Sequence, residues 1–220
     1  YNNSRIQKIQ LSPQITIPSG STTGTLTISG ISDSTDEEDK TIILTPTTAV
    51  NATLTSTSAL NLTLTDNDDP PSVTFALSAD SIEENSSSNV TFTATLSQVS
   101  EKTVEIPYTI SGTATINDEY TILSSPIIIA PGLTAGNVTI STNGLDDADV
   151  EIIETIILTF GTLVNATTET TDITLNLTSD DYPNASIDVS KIEFAEHEST
   201  IVSATIDEAH SVDTKVSFAV

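Results

Sequence analysis

Carboxylates close two stretches of this chain in the same way. Thr65-Asp66-Asn67-Asp68-Asp69-Pro70 and Thr178-Ser179-Asp180-Asp181-Tyr182-Pro183 lie 113 residues apart, and each follows an alternating apolar run. The chain reads as a repeat array whose acids gather where units end. With six Lys and Arg against 31 Asp and Glu, clustered carboxylates repel one another unless a counterion joins them. The chemistry this spacing points to is cation binding by oxygen ligands.

The elements that would position those acids are strands. Thr25-Leu26-Thr27-Ile28, Asn61 to Thr65, Val90 to Leu96 and Ile173 to Thr178 alternate apolar and polar residues with period two, the pattern of half-buried antiparallel strands. Nothing sustains a helical period. Turn residues separate the runs at Pro18-Ser19-Gly20, Asp69-Pro70-Pro71, Pro131-Gly132 and Asn143-Gly144. Residues 70–182 yield seven strands, at 72–83 (broken near Ser78 to Asp80), 89–97, 103–111, 120–130, 137–143, 153–160 and 171–178. Seven short strands in this length predict an all-β fold of tandem immunoglobulin-like Greek-key sandwiches, without the Cys and Trp of antibody domains. Residues 1–69 match the back part of such a unit and 183–220 the front part of another. The expected layout is one complete and two partial repeats, with neither flank a fold of its own. The chain is expected to be an internal piece of something longer.

Consecutive antiparallel strands reverse direction, so loops after the first, third, fifth and seventh strands share one end. That end collects Glu83, Glu84, Asp118, Glu119, Asp146, Asp147, Asp149, Glu151, Glu154, Asp180 and Asp181; the other collects Glu101 and Glu169. Calcium suits such a pole, because it takes six to eight hard oxygens in flexible geometry, whereas magnesium keeps more water. Zinc and copper want His or Cys; the chain has no Cys, and its two His, His197 and His210, both lie beyond the complete unit. Asp147, Asp149 and Glu151 are spaced as an EF-hand loop begins, but Ile152 and Leu158 stand where that loop needs Gly and Glu.

The ordered set of motifs resembles the Calx-beta repeats of sodium–calcium exchangers, integrin beta-4 and long bacterial surface proteins. It comprises Glu84 after the first strand, a Gly112-Thr113-Ala114 turn, the pair Glu119-Tyr120 and the Pro131-Gly132 turn. Asp146-Asp147, then Glu151 and Glu154 flanking two residues, and the closing Asp180-Asp181 complete it. The resemblance spans the whole central unit. It implies a calcium site formed by Glu84, Glu119, Asp146, Asp147, Glu151, Glu154, Asp180 and Asp181, holding one or two ions. Glu119 stands where the family shows Asp, and Ser179 replaces the first of three closing acids. The first partial repeat keeps Asp33, Asp36, Glu37, Asp66, Asp68 and Asp69, with Lys40 in the place of Glu154. The third keeps Glu196 and acids around it. The stretch from Asp66 to Pro70 is also similar to the calcium linker of cadherins, whose other acidic motifs are absent.

A formal net charge of -25 argues against nucleic acid or an anionic membrane as partner. The lack of Cys excludes a disulfide framework, and no apolar run reaches membrane-spanning length. No Gly-x-Ser-x-Gly elbow or phosphate-cradling Gly motif occurs, and four Tyr and five Phe leave few aromatics for a sugar site; an enzyme is not expected. Asn51, Asn61, Asn89, Asn137, Asn165 and Asn176 lie in Asn-x-Thr sequons, a pattern that an outward strand face of Asn and Thr also produces. The expected role is a calcium-binding structural or adhesive stalk at the cell surface, with neighbouring repeats and cell-surface proteins or glycans as partners. The alternative is a calcium-sensing regulatory domain of a membrane transporter or receptor.

Overall fold

A computed structural model describes residues 14–123, 125–146, 149–210 and 213–219. Among them there are fourteen strands and no helix, as the alternation predicts.

The centre is a two-sheet sandwich. One sheet orders β3 (Val73–Leu77), β5 (Val90–Leu96), β10 (Ala135–Ser141) and β8 (Thr121–Ile122) side by side. The other orders β4 (Ser81–Glu83), β12 (Asp172–Thr178), β11 (Glu154–Phe160) and β7 (Tyr108–Gly112). That partition is the immunoglobulin arrangement. Alternation places Phe92, Ala94, Val138 and Ile140 from the first sheet against Ile156, Leu158, Leu175 and Leu177 from the second, each 3% exposed or less. Phe75, Phe92 and Phe160 stack beside them, with centroids 4.0–5.7 Å apart. Every buried apolar side chain among the described residues lies between Pro71 and Leu177.

Several expected strands are divided. The first breaks at Ser78 to Asp80, as its sequence implies, and its second half changes sheets to run parallel to β12. The third divides at Pro107, which has no N–H for a ladder, into β6 (Val104–Ile106) and β7; β6 pairs with β9 (Ile127–Ile129). The fourth divides into β8 and β9.

The flanks carry two-stranded sheets, β1 (Lys40–Leu44) with β2 (Leu60–Leu64) and β13 (Ala185–Val189) with β14 (Val202–Ile206). Lys40 opposes Leu64 in β1–β2 as Glu154 opposes Leu177 in β11–β12. The alternating run Thr25 to Ile28 forms no strand, a departure from its pattern: alternation makes a strand only where a neighbour completes the hydrogen-bond ladder. Ile15, Ile17, Leu26, Ile28, Ile43 and Leu60 are accordingly exposed.

Candidate metal centre

Four loops bring carboxylates to one end of the sandwich. The first leaves β4. Asn85, in a left-handed conformation with φ 47°, turns the chain sharply; its N–H donates to the Leu145 carbonyl at 3.1 Å. Its Oδ1 accepts from Gly144 at 3.3 Å. The Glu84 N–H donates to the Thr178 carbonyl at 3.0 Å, tying this loop to the end of β12. The fully buried Thr142 fastens both sides: its hydroxyl donates to the Glu83 carbonyl at 2.7 Å and accepts from the Ser86 N–H at 3.1 Å. Glu84 is thereby fixed at 4% exposure.

The second loop follows β7 and depends on Gly112. Its φ is +129°, and a Cβ there would lie 2.0 Å from the Thr155 carbonyl oxygen. Only Gly permits that approach, which lets the Thr113 and Ala114 N–H groups both donate to Thr155 at 3.0 and 3.2 Å. The turn then closes on itself, the Thr115 N–H donating to a Glu119 carboxylate oxygen and the Glu119 N–H to the Thr115 carbonyl at 3.0 Å. Glu119 is buried while its neighbour Asp118 is exposed. The residue one methylene longer than expected is thus the one that points inward.

The third loop carries Glu151 and leads into Glu154 at the start of β11; the fourth carries Asp180 and Asp181 beyond β12. The Ser179 hydroxyl donates to the Asp149 carbonyl at 3.4 Å and accepts from the Asp181 N–H at 3.2 Å, linking these two loops.

Two triads of carboxylate oxygens result, each with its atoms within 4.8 Å of one another: Glu84 with Asp180 and Asp181, and Glu84 with Glu119 and Glu151. Glu84 belongs to both. Glu154 is pushed up to about 7, first by its hydrogen bond with Glu119, then by burial and by the charges of Glu119 and Glu151. One oxygen each of Glu151, Glu154 and Asp180 is buried without a hydrogen-bond partner. Lys40, Lys102 and Lys191 are engaged elsewhere, with Glu37, Asp36 and Glu198.

Buried carboxylate oxygens without donors are costly, and a divalent cation satisfies several at once. The oxygen-only donor set suits a hard cation, and these clusters could hold a metal ion. Of the eight acids singled out in the sequence, the structure brings Glu84, Glu119, Glu151, Glu154, Asp180 and Asp181 together. Asp146 is exposed and belongs to neither triad; Asp147 lies outside the described residues. Reading ligand types alone missed the supports, Thr142 and Asn85, whose short polar side chains look like any other loop residue.

No protein-family model matches the chain, and no curated protein matches it in sequence.

Proposed function

We propose that this chain is a calcium-binding structural and adhesive stalk module of a large repetitive cell-surface protein, built from Calx-beta-like repeats. Calcium at the acidic pole of the central sandwich stiffens the passage into the next unit. The observation that carries this reading is Glu84, buried and shared by two oxygen triads, beside carboxylate oxygens of Glu151, Glu154 and Asp180 that lack donors. Two ions bridged by Glu84 fit that arrangement. Asp180 and Asp181 lead directly into Tyr182 and Pro183, so an ion held by them restrains the start of the third segment. The Pro rings add stiffness there and at Pro70-Pro71.

Melting calorimetry tests the reading. A ligand that binds the folded chain alone stabilises it by about 2.7 kcal/mol at a hundredfold excess over its Kd, and each kcal/mol raises the Tm of a small domain by about 4 °C or more. Millimolar calcium should raise the Tm of the chelator-treated chain by several degrees, and Glu84→Ala or Asp181→Ala should abolish the rise. An unchanged melt in calcium would overturn the proposal.

A further inference from the structure

Among described residues 14–69 a single one is buried, and it is an aspartate, Asp36, 1% exposed. Its surroundings come from the central sandwich, at the end opposite the acidic pole. Lys102 Nζ donates to Asp36 Oδ1 at 2.7 Å, and the Ser100 hydroxyl, itself 1% exposed, donates to Oδ2 at 3.0 Å. The main chain joins in: Asp36 forms a parallel β-bridge with Ser100, and the Glu101 N–H donates to the Asp36 carbonyl at 3.0 Å. The loop that receives the aspartate is also held by bonds within the sandwich. Its Lys102 N–H donates to the Ser100 hydroxyl at 3.0 Å, and the Gly132 N–H of the Pro131-Gly132 turn donates to the Ser100 carbonyl at 2.9 Å. A second, more exposed ammonium stands beside it, with Lys40 2.5 Å from Glu37 and 4.0 Å from Glu101 across the junction.

We propose that the 98–102 loop of the central sandwich is a docking socket for an aspartate of the preceding unit, and that this junction is fastened by the Asp36–Lys102 pair without a metal ion. A chain of net charge -25 has few cations to place, yet two of the four lysines among the described residues meet here. Lys40 takes the register position that Glu154 holds at the central pole, each the first residue of its strand and opposite an equivalent Leu. A covalently held ammonium thus replaces a carboxylate at the junction where an ion would otherwise be needed. Removing Lys102 leaves a desolvated carboxylate facing Ser100 alone, which favours undocking.

The pair is specific to this junction. Counting from Lys40 and Glu154, the counterpart of Asp36 is Val150. The aspartate half of the pair does not recur where the central unit meets the third segment. The comparison between junctions rests on the repeat reading; the socket itself does not.

The test is a pulsed electron-resonance distance measurement on the full chain in excess chelator. The chain has no Cys, so nitroxides attach only at Thr53→Cys and Thr170→Cys, both at exposed positions on the two sides of the junction. One narrow distance peak is expected, unchanged by millimolar calcium. Lys102→Met should lose that peak and spread the distances while the melt of the central sandwich stays in place; Lys102→Arg, which keeps the charge, should retain it. A narrow peak in Lys102→Met would overturn the proposal, as would a wild-type peak that is narrow only with calcium. Because the decisive arms contain no calcium, failure here leaves the reading of the acidic pole standing, and failure of that reading leaves this one.

Discussion

At the scale of the residue, Glu154 links the metal-free pole to pH. Its carboxyl is pushed up to about 7, so the folded chain holds a proton there that the unfolded chain has released. That stabilisation is fully present below about pH 4.5, the ordinary carboxyl value, and is lost as pH rises through about 7. Melts of the chelated chain should therefore show a Tm that falls across this window, and Glu154→Gln should flatten the fall; a variant with the wild-type slope would contradict the assignment. Under the proposed function, calcium would compete with the same proton, and its affinity should rise with pH through the same range. The identity of these acids was legible in the sequence, because a pole of carboxylates from four loops follows from strand alternation alone. Which of them point inward was not. Glu119 rather than Asp118 is buried because the turn returns the Thr115 N–H to its carboxylate, a closure that composition does not reveal.

At the scale of the element, the ligand loops are held by backbone approaches that tolerate little change. Gly112→Ala would set a Cβ 2.0 Å from the Thr155 oxygen at a φ that L side chains rarely adopt. We expect about 2 kcal/mol or more of destabilisation, read as a lowered urea midpoint, together with weaker calcium binding as Glu119 and Glu154 separate. An unchanged midpoint would show that the turn relaxes at little cost. Strand existence was readable from period two across the central unit, as was the break at Ser78 to Asp80. The division at Pro107 was not anticipated, although the missing N–H of proline accounts for it. Thr25 to Ile28 shows the limit of alternation: the pattern says which face a strand would bury, not whether a second strand is there to pair with it.

At the scale of the whole molecule, one sandwich with a closed core sits between two segments that expose apolar side chains. Its two ends differ. One receives Asp36 in a loop carrying Lys102; the other gathers carboxylates. Amide exchange should separate them. The Glu101 N–H, bonded to the Asp36 carbonyl, should be protected with or without calcium. The Asp181 N–H, bonded to the Ser179 hydroxyl, should slow by about tenfold or more when calcium is added. Joint slowing of both would mean that the two ends are not independent. The paired acidic closures were visible in the sequence. The socket was not, since one Asp of an acidic run and a Lys 66 residues away announce nothing until the fold brings them together.

The central claim is that sequence-distant carboxylates share a divalent cation at one end of the sandwich. A crystal structure of the chain grown with calcium, with anomalous data recorded to identify the ion, tests it most directly. The expected result is calcium bound between Glu84, Asp180 and Asp181, and a second ion bound by Glu84, Glu119 and Glu151. Carboxylates too far apart to share an ion, or calcium found only at other places on the surface, would contradict it.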